Sequence, residues 1–315
     1  MIEKEDTIIQ HLLPVPHTIV TSGMTRSIHL QDWSVVSRKD SILTSQEIHQ
    51  FSLRLSIPIP EMTFGKNSVE IKHSSGWKMI FTAYDALEGV DKAGKDVVQV
   101  SYAKEWVKNR DKSCDSIEPG KSYDWTFTTT YKGTICYEDG NNMANSEIML
   151  IRAVKNETLA IKAEKDQAKN IDDVDNVVEP VFMPSDEVIP LDKLKRQDPI
   201  LFFEEVVLYE DELSDNGMSL LSIKVRVMPE RLLLLQRFFM RLDNVMFRVR
   251  DTRVYIEFST GKVLREYIEK EASYDEVLQK VSSQQNDFGI FLTDPVWVAS
   301  VLPTREKTLE ALKLG

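Results

Sequence analysis

The sequence has few cysteines, more acidic than basic residues, and no long hydrophobic run. Its 315 residues include two cysteines, which is too few for a disulfide-stabilised scaffold and favours a reducing compartment. Because 39 Lys and Arg face 50 Asp and Glu, the formal charge is −11 and a face that binds nucleic acid is not expected. No run approaches the roughly 20 apolar residues of a membrane-spanning helix, and the N-terminus lacks the basic start of a secretion signal. We therefore predict a cytoplasmic globular protein that could also occur in the nucleus.

Motifs for nucleotides, metals and activated nucleophiles are also missing. The 12 glycines are scattered and form neither GxGxxG nor GxxxxGKS/T, the spacings that bring backbone amides close to phosphates. The five histidines never occur at HxH or HExxH spacing, and no GxSxG motif is present. We therefore expect no cofactor, and a binding protein instead of an enzyme. One enzyme hypothesis stays open, since dispersed carboxylates can form a site that no motif reveals; the candidates are Asp85, Asp124 and Asp251.

The order of the predicted elements favours an α+β fold, mainly antiparallel sheet with flanking helices in a single compact domain. No alternation of strands and helices in the βαβ manner is present, which argues against a parallel dinucleotide-binding sheet. We assign residues 26–315 to this domain and residues 1–25, which contain Pro14 and Pro16, to a flexible N-terminal arm. Residues 141–180 carry many charges and no aromatic residue, so they are predicted to form a solvated insertion.

Local patterns predict individual helices and strands within the domain. Thr44 and Glu47 have the spacing of a capping box, which predicts a short helix that begins there. Alternating or β-branched stretches predict strands at residues 28–36, 68–72, 77–82, 97–102, 125–131, 223–227, 247–250, 254–258 and 263–267. The very apolar stretch 232–242 follows a proline and predicts a buried helix. Later helices are predicted at residues 274–281 and 305–314.

Charge is concentrated in two opposite blocks in the second half of the chain. Residues 201–215 contain acidic residues and no basic one, whereas in residues 224–253 basic residues outnumber acidic ones. The arginines of the basic block could form a cationic lip for a carboxylate or an acidic partner, because a guanidinium group grips a carboxylate in two places. They could equally pair with the acidic block inside one sheet. The residues alone leave both interpretations open.

Several segments, taken in their order and spacing, resemble one protein family. They are residues 59–67, 85–87, 123–129, 131–134, 202–206, 209–213, 222–229, 235–243, 251–255 and 264–267. The longest match reads SIKVRVMP at residues 222–229 and is continued by LQRFFMRLD at residues 235–243. The ordered set is similar to the TIP-forty-one-like family of TOR signalling pathway regulators.

The resemblance implies a non-catalytic regulator that binds the catalytic subunits of type 2A-like serine/threonine protein phosphatases in TOR signalling. It also implies a cleft for the C-terminal tail of that subunit, with the phosphatase adaptor protein as a further partner. The family's cleft positions carry over to Asp85, Ile189, Val249 and Tyr267. A tail that ends in aromatic and apolar residues with a free carboxylate also needs a cation, and the candidates are Arg226, Arg248 and Arg250. A scaffold without any phosphatase partner is the third hypothesis.

Overall fold

The structure is a computed structural model, and it describes residues 15–92, 123–137, 180–282 and 288–314. Two antiparallel sheets dominate this part of the chain. The small sheet has six strands, namely β1 (His17–Ser22), β2 (Thr25–Leu30), β3 (Trp33–Arg38), β5 (Ser68–His73), β6 (Trp77–Thr82) and β7 (Thr134–Tyr137), paired in that order. The large sheet has eight, and its order is β4 (Met62–Thr63), β9 (Phe202–Asp211), β10 (Gly217–Val227), β11 (Arg231–Leu242), β12 (Met246–Glu257), β13 (Lys262–Ser273), β14 (Thr304–Lys313) and β8 (Met183–Pro184).

Short helices connect or cover the two sheets. Those that the structure describes are α1 (Ser45–Leu55), α2 (Ala83–Glu88), α3 (Leu191–Leu194), α4 (Tyr274–Ser282), α5 (Phe288–Thr293) and α6 (Pro295–Val301). Within the described ranges, no helix combines the length and the apolar character needed to cross a membrane.

One hydrophobic core fills the space between the two sheets. We call the side of the large sheet that faces the small sheet its inner face, and the opposite side its outer face. Leu234 on β11 and Val254 on β12 point inward and belong to the same buried cluster as Trp77 and Phe81 of β6. Because successive side chains of a strand point to opposite sides, every other residue of the long strands contributes to this core.

The outer face of the large sheet is covered in two places. Helices α4, α5 and α6 pack on Phe239, Phe247 and Val249, and together they form what we call the outer apolar cluster. The segment around α3 packs Ile189 against Tyr255. Both faces of the central strands are therefore largely removed from water.

The α+β class, with mainly antiparallel sheet and flanking helices, is confirmed. The capping box at α1 is present, because the Glu47 amide donates to Thr44 Oγ1 at 3.4 Å and the Thr44 amide donates to the Glu47 carboxylate at 2.8 Å. The strands predicted at 68–72 and 77–82 are β5 and β6, and the helix predicted at 274–281 is α4. The predicted strands 223–227 and 263–267 lie within β10 and β13.

Two predicted helices are wrong, since residues 232–242 belong to β11 and residues 305–314 largely to β14. β11 lies near the middle of the large sheet with both faces covered, so its apolar residues form an unbroken run instead of an alternating one. β14 contains many helix-forming residues, but pairing with β13 along almost its whole length overrides that local preference.

Four predicted strands need correction. Residues 28–36 span the hairpin of β2 and β3, whose turn places Gln31 at a φ of 51°. The strands predicted at 247–250 and 254–258 belong to one continuous strand, β12, which runs from Met246 to Glu257 and excludes Phe258. Residues 125–131 do not form a strand: residues 125–126 are a turn in which the Asp124 carboxylate accepts the Thr126 amide, and within the stretch only Thr129 forms an isolated bridge, to Val90.

Some predictions fall wholly or partly outside the described residues. The strand at 97–102 and positions 141–179 of the insertion lie there, as do residues 1–14 of the arm. Residues 15–25 of the predicted arm are described, and they are more ordered than a flexible segment would be. Residues 17–22 form the edge strand β1, which pairs with β2 along its full length although its side chains are exposed.

Candidate functional site

Residues 123–134 cross between the two sheets, and we call them the bridging segment. On the large sheet, the Tyr209 hydroxyl donates to the carbonyl of Phe127 at 2.9 Å, and the Gln236 amide donates to the carbonyl of Tyr131. On the side of the small sheet, the Thr129 hydroxyl donates to the carbonyl of Ala86 in α2 at 2.7 Å. The segment therefore ties α2 to the inner face of the large sheet.

Asp85 anchors the C-terminal end of the bridging segment. Its backbone lies in the first turn of α2, where the Asp85 amide donates to the N-cap Thr82 hydroxyl at 3.1 Å. The Asp85 carboxylate accepts the Thr134 hydroxyl at 2.5 Å and lies 3.5 Å from the Tyr131 hydroxyl. Burial raises the pKa of Tyr131, and the charge of Asp85 raises it further, so this phenol stays protonated at physiological pH.

Gly133 allows the bridging segment to turn closely onto the small sheet. Its φ is +89°, and a Cβ atom at this position would meet Met79 Cε at 2.6 Å and the Phe81 ring at 2.8 Å. A residue with a side chain is disfavoured here both by the backbone conformation and by the lack of space. This close approach fixes the backbone position of the neighbouring residue, Lys132.

Tyr267 lies on the inner face opposite Lys132. The Tyr267 side chain is only 2% exposed, and its hydroxyl donates to Glu269 at 2.7 Å. Lys132 Nζ sits 4.4 Å from the centre of the Tyr267 ring and 3.5 Å from the Thr308 hydroxyl on β14. Burial and the hydrogen bond to Glu269 raise the pKa of Tyr267. Asp85 and Tyr267, which are far apart in sequence, thus contact the same four-residue stretch, 131–134.

A row of charged side chains continues from Tyr267 along the inner face. Arg250 Nη2 lies 3.2 Å from Glu269 and 3.8 Å from Glu271, and Arg248 Nε donates to Glu271 at 2.6 Å. We call Arg248, Arg250, Tyr267, Glu269 and Glu271 the inner polar row. Burial lowers the pKa of Arg250, and neighbouring Glu269 opposes that shift. Its Nε and Nη1 atoms are buried without a hydrogen-bond partner among the described residues.

The inner polar row is tied to the start of the bridging segment. Arg248 Nη1 donates to the Thr128 hydroxyl at 2.8 Å and lies 3.7 Å from the Asp124 carboxylate. Asp124 in turn accepts the amide and the hydroxyl of Thr126, at 2.9 and 2.7 Å. Charged and hydroxyl groups therefore hold the segment at both ends.

A cavity of about 350 Å³ opens between β7 and the N-terminal part of β13. Its walls include Tyr137 of β7, Phe182 next to β8, and Arg265 of β13. The Arg265 guanidinium lies 4.0 Å from the centre of the Phe182 ring and donates to Glu310 at 2.7 Å. An aromatic wall and a cation at one opening are groups that an extended peptide with a carboxylate can use.

The structure places only part of the predicted site residues together. Asp85, Arg248, Arg250 and Tyr267 surround the bridging segment. Val249, Ile189 and Arg226 belong to the outer face: Val249 is fully buried beneath the helices, Ile189 packs on Tyr255, and Arg226 lies over the Phe203 ring at 5.7 Å. The four positions expected to line one cleft with one of the three arginines therefore lie on two faces, since the sheet separates Asp85 and Tyr267 from Ile189 and Val249. That these residues bind a peptide stays a prediction.

The prediction about the two charge blocks also changes. Lys224 and Glu205 do pair across β10 and β9 at 3.1 Å. Most arginines of the basic block pair instead with acids on β12 and β13: Arg237 with Asp251, Arg248 and Arg250 with Glu271, and Arg253 with Glu266. Within the acidic block, Glu204 is held by Arg26 at 2.6 Å and Lys39 at 2.5 Å. Neither original interpretation describes these arginines.

The three carboxylates of the enzyme hypothesis do not converge. Asp124 supports its own turn, Asp85 anchors Thr134, and Asp251 points to the outer face, where it accepts two hydrogen bonds of 2.7 Å from Arg237. Within the described ranges, no group of three or more His, Cys, Asp or Glu side chains is arranged to hold a metal ion.

Sequence reasoning missed Lys132, Phe182 and Arg265 as site residues. A signal existed for Lys132, because residues 131–134 are one of the segments that carried the family resemblance. Arg265 is likewise within the segment 264–267. Phe182 lies outside every such segment, and only its contact with Arg265 across the cavity identifies it.

Comparison with known proteins agrees with the resemblance. A model of the TIP41-like family matches residues 62–278. The chain is 35% identical to the type 2A phosphatase activator TIP41 of Saccharomyces cerevisiae, over 96% of this chain and 79% of the yeast protein. It is also 35% identical to the TIP41-like proteins of Dictyostelium discoideum and Homo sapiens, over 95% and 89% of this chain and 96% and 86% of those proteins. The chain belongs to the TIP41-like family.

Proposed function

We propose that this member of the TIP41-like family is a non-catalytic regulator that binds the catalytic subunit of type 2A-like protein phosphatases in TOR signalling. The observation that carries the proposal is the match over 96% of the chain to a yeast relative named a type 2A phosphatase activator. The lack of converging carboxylates in the described residues also favours a binding protein over the enzyme hypothesis.

We further propose that the C-terminal tail of the catalytic subunit binds beside the bridging segment. Lys132 and Arg265 are cations placed next to the aromatic rings of Tyr267 and Phe182, which suits a tail with aromatic residues and a free carboxylate. Tyr267 is itself too buried to offer its face freely, so its proposed role is to position Lys132. Asp85 has the matching role at the other end, through Thr134.

The outer-face residues have a different role in this proposal. Val249 and Ile189 support the sheet from behind, so their substitution acts on binding through the shape of β12 and β13. The adaptor protein as a further partner and a cytoplasmic or nuclear location stay predictions from the sequence.

The test is a binding titration with the purified catalytic subunit, the same subunit without its tail, and the isolated tail peptide. We expect the full subunit to bind most tightly and the tail peptide to bind detectably on its own. Lys132→Ala should weaken peptide binding about tenfold, which corresponds to one charge-assisted contact. Arg226→Ala is the matched control, because it removes an exposed cation from the outer face. Binding of neither the subunit nor the peptide would refute the proposal.

A further inference from the structure

Within the described ranges, β14 has a strand partner on its second side, the outer edge, only over the later half of the strand. β8 pairs with β14 only through Glu310↔Pro184 and Ala311↔Met183, and the Ser185 amide then donates to the carbonyl of Leu309 at 3.0 Å. Beyond Ser185 the chain leaves this edge and crosses the outer face. Among the described residues, none pairs with the outer edge of positions 304–308.

The strand geometry identifies which backbone groups are free there. The amide and carbonyl of one residue in a strand point to the same side, and consecutive residues alternate. Because the carbonyl of Leu309 points to β8, the amide and carbonyl of Lys307 point to the same outer edge. Glu306 and Thr308 direct their backbone groups to β13, where they are paired with Glu269 and Tyr267.

The charges along this edge discriminate between occupants. The stretch has three consecutive, exposed charged residues, Arg305, Glu306 and Lys307. Antiparallel pairing of this stretch with a second copy of itself, centred on Glu306, would place Glu306 opposite Glu306 and Arg305 opposite Lys307, and like charges in direct opposition are destabilising. An extended peptide that ends in a carboxylate meets the opposite situation, since Lys132 lies 3.5 Å from the Thr308 hydroxyl at the same place.

We propose that the phosphatase tail binds by strand addition to the free edge of β14, in the position that β8 occupies further along the strand. This inference rests on the proposed function. The tail main chain exchanges hydrogen bonds with the amide and carbonyl of Lys307. Tail residues opposite Thr308 and Glu306 then direct their side chains to the inner face, beside Lys132, whereas the residue opposite Lys307 points outward. Main-chain bonds supply affinity, and alternate side chains supply specificity.

The proposal predicts a period of two in the tail peptide. In a titration with the full-length chain, tail peptides are N-methylated at one residue at a time over successive positions. Methylation of an amide that faces β14 should weaken binding about tenfold, and methylation of the intervening amides should change it less than about twofold. A flat profile in peptides that bind when unmethylated would overturn strand addition.

A pair of variants tests the same contact from the side of this chain. Lys307→Pro removes the outward amide but not the bonds to β13, whereas Lys307→Thr keeps the amide and only loses the ion pair with Glu266. We expect about tenfold weaker peptide binding for Lys307→Pro and less than about twofold for Lys307→Thr, with melting curves recorded for both.

The outcomes separate this inference from the proposed function. Equal peptide affinity of the two Lys307 variants, together with a flat methylation profile, removes strand addition while the proposed function stands. If Lys307→Pro does not fold, the methylation profile alone decides. If the catalytic subunit binds and the isolated tail does not, strand addition is overturned together with the tail-binding part of the proposed function.

Discussion

The two faces of β12 and β13 are built from alternate residues of the same strands, yet they are stabilised by different means. On the outer face, Phe247 and Val249 are fully buried beneath α4–α6. On the inner face, Arg248 and Arg250 are held by Glu269 and Glu271. Arg248 and Val249 are consecutive in sequence, so the thickness of the sheet alone separates a charged environment from an apolar one.

This difference teaches how stability and binding are divided in the molecule. Burial of apolar side chains is the main source of folding free energy, and the outer apolar cluster supplies it mainly through aliphatic and aromatic groups. A buried ion pair gives little net stability because desolvation offsets the attraction, but removal of one partner is costly. The inner polar row therefore adds little to the free energy of folding, and its main effect is to hold the bridging segment and Lys132 in place.

The largest effect is expected from a cavity in the outer apolar cluster. Phe247 stacks on Tyr274 with ring centres 5.1 Å apart. Phe247→Ala should lower the free energy of unfolding by about 3–5 kcal/mol, whereas Phe247→Leu should cost less than about 1.5 kcal/mol. Urea unfolding measures the stability of both variants. A loss below about 1 kcal/mol in the alanine variant would show that the helices do not depend on this ring.

A buried ion pair on the outer face provides the next test. Asp251 is 2% exposed and accepts two hydrogen bonds from Arg237. Asp251→Ala should cost about 3 kcal/mol, because the guanidinium of Arg237 is left largely buried without its partner. Substitution of both residues, Asp251→Leu with Arg237→Met, should recover most of that loss. Additive losses in a double-mutant cycle would contradict the interpretation that the pair adds little net stability.

On the inner face, two substitutions of Tyr267 distinguish its effect on the position of Lys132 from its effect on folding stability. Tyr267→Phe keeps the ring under Lys132 and removes the hydrogen bond to Glu269, so it should cost about 1–2 kcal/mol of stability. Tail-peptide affinity should change less than about threefold. Tyr267→Ala also removes the ring that positions Lys132, and affinity should fall about tenfold, or about 1.4 kcal/mol, as for the loss of Lys132 itself. Equal affinities of the two folded variants would remove Tyr267 from the site.

The smallest effect is expected at α1, which lies outside both faces and serves as a surface reference. Hydrogen bonds from Lys66 and from Thr44 lower the pKa of Glu47 to about 2 from an ordinary value of 4.5. Because the folded pKa is lower than the unfolded one, this contribution to stability is complete above pH 4.5 and is lost as the pH falls towards 2. The difference in unfolding free energy between the wild type and Glu47→Gln should therefore be larger at pH 6 than at pH 3. A difference independent of pH would contradict the proposed titration.

The family resemblance supplied candidate site positions but not the side of the sheet on which they lie. The period of two in residues 247–250 predicted a strand with Arg248 and Arg250 opposite Val249, and this alternation is what the structure has. A period cannot say which of the two faces meets the second sheet, because that depends on pairing with strands far away in sequence. Asp85 and Tyr267 became neighbours only through the bridging segment.

The sequence by itself determined the class of the fold, the capping box of α1 and the membership of the family. These depend on local hydrogen bonds, on residue spacing along the chain, and on an ordered set of short segments. Only the tertiary structure decided that residues 232–242 and 305–314 are strands, since burial on two faces and pairing with a neighbouring strand override local preference. Only the tertiary structure placed Lys132 over Tyr267 and, among the described residues, left positions 304–308 of β14 paired on one side alone, because contacts between distant segments follow from the packing of the two sheets.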